Sequence, residues 1–237
     1  MNCVHLAGFE VCKTTAIELA QDLLARMRIG TPSILLFANT NFVVKCHDLI
    51  PQLNAANVCV VNDGIGIHIA AAMISRERFP ENLNGTDFTP YLLRQAHRPL
   101  RLFLLGGKPQ VAQRAAEYAR QQLGQEVVGV CDGYAGMSEM RLIERIARSK
   151  PDILLVALGN PVQEQWILQH HQDLKVPLVM GVGALFDFWA GAKPRAPRVM
   201  QSLRLEWFYR LCLEPRRLFR RYTIDILHFL LHCYRYR

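Results

Sequence analysis

Six short apolar runs, each closed by a polar or glycine-rich cluster, constrain this chain more than any other feature. Ser33–Ala38 ends in Asn39-Thr40-Asn41, and Val58–Val61 ends in Asn62-Asp63-Gly64. Leu100–Leu105 closes on Gly106-Gly107, and Glu126–Val130 on Cys131-Asp132-Gly133. Ile153–Ala157 meets Gly159-Asn160-Pro161, and Val176–Met180 meets Gly181. The intervening stretches, among them Val111–Leu123, Glu139–Arg148 and Val162–His171, carry helical spacing. A strand that is apolar throughout is covered on both faces. Such strands alternating with helices predict an α/β fold, a parallel sheet flanked by helices. Ligands of these sheets bind at the carboxyl ends of the strands, where all the polar clusters fall.

Charge divides the chain unevenly. Residues 193–237 hold 11 Lys and Arg against three acids, an excess equal to the whole formal charge of +8. Residues 1–192 are therefore neutral and form the expected catalytic body, with residues 193–237 as a C-terminal appendage. Leu203, Trp207 and Leu211 repeat at helical spacing, as do Leu218, Tyr222, Ile226 and Leu230, and Pro215 separates the two sets. Two amphipathic helices are expected, the second rich in arginine at its start. A basic aromatic helix can lie in an anionic membrane interface, or it can pack on the body with its arginine stems over apolar surface. No apolar run reaches the ~18 residues that cross a bilayer. Glu10 and Lys13 interrupt any signal-peptide core, so no leader is expected. Seven cysteines without C-x-x-C spacing point to reduced thiols and to no metal site.

Asp63 stands at a strand end before Gly64 and Gly66. Such an aspartate can act as a general base, with the next helix N-terminus facing a phosphate. It can equally cap that helix, which its spacing alone favours. Asn84-Gly85-Thr86-Asp87 reads as a turn into a helix capped by Thr86 or Asp87, with a ligand contact as the alternative. Gly106-Gly107-Lys108-Pro109 is a tight turn that can also offer backbone N–H groups to a nucleotide. Pro161 suits a first helical turn, so Gln163 and Glu164 can reach ribose or sugar hydroxyls or remain surface polars. The third glycine of the dinucleotide fingerprint is missing after both Gly64-Ile65-Gly66 and Gly181-Val182-Gly183, and no Walker A lysine motif occurs, which disfavours NAD and ATP. No D-x-D pair occurs to hold a metal on a diphosphate, so arginines would have to neutralise one.

Taken in order, these motifs resemble the WecG/TagA/CpsF glycosyltransferases (glycosyltransferase family 26). The resemblance also includes Asp132-Gly133-Tyr134, Gly181-Val182-Gly183-Ala184-Leu185-Phe186-Asp187, Arg195-Ala196-Pro197 and Leu205-Glu206-Trp207-Phe208-Tyr209-Arg210, and spans roughly residues 30 to 222. It implies a Rossmann-like, inverting, metal-independent transferase with no cofactor. Such an enzyme moves a sugar from a UDP-sugar donor to a sugar on a polyprenyl diphosphate acceptor. It would work as a peripheral protein on the anionic inner leaflet, at the cytoplasmic face of the membrane, as a homo-oligomer. The base of the family's ADG-type motif falls on Asp63. The implied substrate-binding positions are Asn39, Thr40, Asn41, Asn62, Gly64, Gly85, Asp87, Gly106, Gly107, Gln163, Glu164 and Arg195. Arg210, Arg217, Arg220 and Arg221 are the appendage arginines expected to close over the donor diphosphate.

Three positions depart from the family pattern. Asn39 stands for a threonine, Asn62 for an alanine and Val162 for a lysine. Asn39 and Asn62, with the Asn82–Asp87 run, point the donor toward glucose in exopolysaccharide assembly; N-acetylmannosamine and N-acetylmannosaminuronate are the alternatives. Two other classes compete with the transferase. A nucleotide-binding oxidoreductase lacks its fingerprint here. A nucleic-acid-binding protein with a cationic arm leaves the neutral body and its polar strand ends unexplained, so no nucleic-acid partner is expected.

Overall fold

The computed structural model describes residues 2–134, 141–197, 199–200 and 205–236. A hairpin of β1 (Cys3–Leu6) and β2 (Phe9–Cys12) opens the chain. Its two loop residues, Ala7 and Gly8, both have positive φ, 53° and 85°, as the tight primed turns of hairpins require. Then follow α1 (Ala16–Arg28), β3 (Ser33–Ala38), α2 (Thr40–Lys45), α3 (Ile50–Leu53), β4 (Val58–Asn62), α4 (Ile65–Ala70) and α5 (Gly85–Gln95). The chain continues through β5 (Arg101–Gly106), α6 (Pro109–Gln121), β6 (Glu126–Cys131), α7 (Leu142–Ser149), β7 (Ile153–Ala157), α8 (Val162–Leu174), β8 (Leu178–Gly181) and α9 (Leu185–Trp189). Helices α10 (Glu206–Leu213), α11 (Pro215–Tyr222) and α12 (Ile224–Arg235) end it.

The strands form one eight-stranded sheet in the order β1-β2-β4-β3-β8-β7-β5-β6. Every pairing is parallel except β1 with β2. All six strands read from the sequence are present, two with the same ends and the others shifted by one or two residues. The hairpin adds two more at one edge. Alternation along the strands builds a core on each face. Ile34, Leu36, Leu154 and Val156 pack on one side, and Leu35, Phe37, Ile153 and Leu155 on the other. These strands are buried on both faces, which is why they read as unbroken apolar runs.

From β3 the chain moves to β4 on one side, whereas β8 is reached from β7 on the other. The connections diverge there, and such a divergence opens a crevice above the carboxyl ends of adjacent strands.

Among the described residues, the run from Leu218 to Leu230, expected as one helix, is divided at Thr223 into α11 and α12. The last helix of the appendage, α12, packs most extensively on α2. Phe229 and Cys233 enter the same core as Phe42, Val43 and Cys46. The opposite face of α12 exposes Leu227, Leu231 and Tyr234. Among the described residues, no helix is long and apolar enough to cross a membrane.

Candidate functional site

A buried polar network ties together the loops after β3, β7 and β8. Its centre is Glu164, in the first turn of α8 and fully buried. Glu164 Oε1 accepts from Asn160 Nδ2 at 2.7 Å and from Gln163 Nε2 at 2.7 Å. Its Oε2 accepts from the Cys46 thiol at 3.6 Å. A carboxylate only accepts, so both amides turn their NH2 groups inward and their oxygens outward. Gln163 Oε1 then accepts from Gly183 N–H at 3.1 Å, and Asn160 Oδ1 from Asn41 Nδ2 at 3.4 Å. Gln163 and Glu164 are therefore interior groups that tie these segments together, not surface polars. Burial pushes the Glu164 carboxyl above its ordinary value, against the hydrogen bonds from Gln163, Asn160 and Cys46 that stabilise its charge.

This raised pKa sets a pH dependence. The folded chain holds the Glu164 proton at pH values where the unfolded chain has released it, so this group makes folding less favourable as pH rises above 4.5. Glu164→Gln keeps an oxygen acceptor for the two amides and removes the buried charge. Urea unfolding of both proteins across acid and neutral pH should show the variant gaining on the wild type as pH rises through that window and levelling off above the folded pKa. A difference independent of pH would assign the raised value no role in stability.

Asp63 follows β4 and is half-buried. Its N–H donates to the Ala38 carbonyl at 2.7 Å, so the last residue of β3 anchors the turn. The capping position of α4 falls on Gly64, at φ 91°, not on Asp63. The Gly64 N–H donates to Asn82 Oδ1 at 2.6 Å and is thus already engaged inside the protein. A Cβ on Gly66 would lie 2.6 Å from Thr40 Cγ2, so this glycine allows the first turns of α2 and α4 to touch. Asn39 caps α2, its Oδ1 accepting from Phe42 N–H at 3.1 Å.

Asn62 is fully buried beneath the turn. Its Nδ2 donates to the Glu81 carbonyl and to His68 Nε2, both at 2.8 Å. With the amide as donor, neutral His68 carries its proton on Nδ1. Asn62 Oδ1 is buried without a hydrogen-bond partner among the described residues. His68, Asn82 and Cys46 did not emerge as site residues from the sequence. The only signal for them was the polar Asn82–Asp87 run and a histidine one turn into α4.

Other expected positions are engaged within the fold. The cap of α5 is Asn84, whose Oδ1 accepts from Asp87 N–H at 2.9 Å, and not Thr86 or Asp87. Gly85 lies against Phe37, where an added Cβ would approach to 3.1 Å. The Gly107 N–H donates to the Ala157 carbonyl at 3.1 Å, and a Cβ on Gly106 would sit 2.3 Å from that same oxygen. This turn thus serves close packing of β5 on β7, and the Gly107 donor is engaged within the fold.

Asp87 and Arg195 pair with each other at 2.8 and 3.3 Å. Burial opposes ionisation of Asp87, but Arg195 and Asn84 outweigh it and hold the carboxyl below its ordinary value. Arg195 also lies 3.5 Å from Glu206, and Lys193 bridges Asp187 at 3.3 Å and Glu214 at 3.5 Å. These links fasten the appendage to the loops at the carboxyl end of the sheet. The side chains of Arg210, Arg217, Arg220 and Arg221 lie outside the described residues; their backbones belong to α10 and α11.

The family model "Glycosyl transferase WecG/TagA/CpsF family" matches residues 4–237. Two similar proteins are the N-acetylglucosaminyldiphosphoundecaprenol N-acetyl-beta-D-mannosaminyltransferases of Staphylococcus aureus strains NCTC 8325 / PS 47 and COL. Each is 27% identical over 230 residues, covering 94% of this chain and 89% of the relative.

Proposed function

Because the chain belongs to the WecG/TagA/CpsF glycosyltransferase family, we propose that it transfers an N-acetylmannosamine-type sugar from its UDP donor to a sugar on a polyprenyl diphosphate. The names of the relatives favour this donor over the glucose expected from Asn39, Asn62 and Asn82–Asp87, and they favour N-acetylglucosamine as the acceptor sugar. One observation carries the assignment of roles. Asp63 is anchored to the last residue of β3, and the Glu164 network joins the residues that follow β3 to those that follow β7 and β8.

In this reading Asp63 takes the proton from the attacking hydroxyl of the acceptor sugar. That oxygen bonds to the anomeric carbon of the donor as the bond to UDP breaks on the opposite face, and the configuration inverts. Asn41 and Asn160 border the crevice and are suited to hydroxyl groups. Arg210, Arg217, Arg220 and Arg221 neutralise the leaving diphosphate, as always-charged forked donors do well. The exposed Leu227, Leu231 and Tyr234 face, with the neighbouring arginines, supports peripheral docking on anionic lipid at the cytoplasmic membrane face. The same apolar face is compatible with self-association.

The test is UDP release by the full-length protein in EDTA, over a panel of UDP-sugars, with and without a short-chain prenyl-diphosphate N-acetylglucosamine. Release from UDP-N-acetylmannosamine that requires the acceptor is the expected outcome. Acceptor-dependent release from UDP-glucose alone would restore the glucosyl reading, and release that needs no acceptor would reject the transfer.

A further inference from the structure

Three of the seven cysteines meet near one edge of the sheet, on β1, β2 and the start of β4, and are unused by the transfer reaction. Cys59 Sγ lies 3.4 Å and Cys3 Sγ 3.9 Å from Cys12 Sγ, both oriented as donors to it. The three side chains line a cleft of ≈ 170 Å³ walled by Glu10, Asp22 and Arg26. The cleft has room for a hydroperoxide.

Strand register decides which pair can bond. Cys3 stands directly opposite Cys12 in the antiparallel hairpin. The Lys13 N–H donates to the Asn2 carbonyl, so that next pair is the hydrogen-bonded kind. Pairs alternate, which makes Cys3 and Cys12 a non-hydrogen-bonded pair with Cα atoms about 4.5 Å apart. That separation falls within the roughly 4.4–6.8 Å that a disulfide spans. Cys12 pairs with Val61 on the parallel side, so Cys59 is displaced two residues along β4. Its Cα is then about 8 Å from that of Cys12, beyond the ~7 Å limit. Cys59 can donate a proton to Cys12 but cannot bond to it without moving the strand.

We propose that Cys3, Cys12 and Cys59 form a peroxide-responsive thiol site, in which Cys12 is oxidised and Cys3 resolves it to a cross-strand disulfide. The hydrogen bond from Cys59 lowers the Cys12 thiol to about 7, against the opposing effect of burial, and Cys3 adds a second supporting bond. Burial and the neighbouring Cys12 push Cys3 up to about 11, so Cys12 is the nucleophile of the pair. The Cys12 thiolate attacks the peroxide. An S–O bond forms, the O–O bond breaks, sulfur is oxidised to the sulfenic acid and the peroxide is reduced to an alcohol or water. The Cys3 sulfur then attacks the sulfenic sulfur, the S–S bond forms, and the oxygen leaves as water with the Cys3 proton.

The experiment treats the full-length reduced protein with graded hydrogen peroxide, blocks the remaining thiols and maps disulfides by non-reducing proteolysis and mass spectrometry. The same treatment of the urea-unfolded chain is the reference. The native protein should yield the Cys3–Cys12 linked peptide as its main disulfide, and unfolding should scatter the pairing. Cys3→Ser should leave a sulfenic acid at Cys12 that dimedone traps, and Cys12→Ser should abolish both products. A native chain that yields no Cys3–Cys12 peptide, joins Cys12 to Cys59 instead, or pairs as the unfolded chain does would overturn the proposal.

Discussion

Asp63→Asn should lower kcat by about 10²–10⁴-fold, the usual worth of a positioned general base, and leave the fold unchanged. The fold expectation follows from what holds this residue. Its backbone N–H, not its carboxylate, makes the 2.7 Å bond to the Ala38 carbonyl that fixes the turn. The next residue is secured separately, by Asn82 on the Gly64 N–H. Beneath it, Asn62 is held by Glu81 and His68. Asparagine preserves shape and polarity at position 63 and removes the negative charge and, with it, the ability to take a proton. The loss should therefore fall on kcat with KM for the donor little changed, the signature of an interaction made in the transition state. Urea unfolding of the variant should superimpose on the wild type. Turnover near the wild-type rate would remove Asp63 from the reaction and direct attention to the other carboxylates beyond the carboxyl ends of the strands, Asp87 among them.

The fold was legible where its physics is local. β3 and β7 are buried over their whole length, so each reads as an uninterrupted apolar run closed by polar residues. The hairpin did not stand out, because four-residue strands carry too little pattern; its Ala7-Gly8 turn was the available sign. The helical break at Thr223 was hidden because apolar spacing continues across it. At the site, the sequence supplied the polar clusters but not their partners. Asn41 meets Asn160 across 119 positions, Cys46 meets Glu164 across 118, and Arg195 meets Asp87 across 108. The first two pairs meet because β8 lies beside β3 and β7 beside β8. Side chains that separately resemble ligand contacts also bond one another across the fold.

Phe229→Ala should destabilise the protein by about 3–5 kcal/mol, the range for deleting a buried aromatic side chain. Phe229 is 2% exposed and Cys233, one turn on, is fully buried. Both pack with Phe42, Val43 and Cys46, so the last helix contributes to the core although it lies within the basic appendage. The rings of His47, His232 and Tyr236 extend this contact, with centroids 4.8 Å and 4.3 Å from His47. A Leu227→Ser/Leu231→Ser variant tests the other face. Both side chains are more than half exposed, so stability should stay within about 0.5 kcal/mol while binding to anionic vesicles weakens. The two measurements separate roles that truncation near Arg198 would merge. Removing the appendage removes Phe229 from the core as well as the proposed lipid-facing surface, so lost activity would have two causes. A loss below about 1 kcal/mol for Phe229→Ala would place α12 outside the cooperative unit. The full loss would have a functional consequence too. The surface that α12 covers is α2, and α2 begins at the Asn39 cap and carries Thr40 and Asn41. Docking of the last helix then braces the loop that borders the crevice, and loosening it should raise KM for the donor before it affects the chemistry of Asp63.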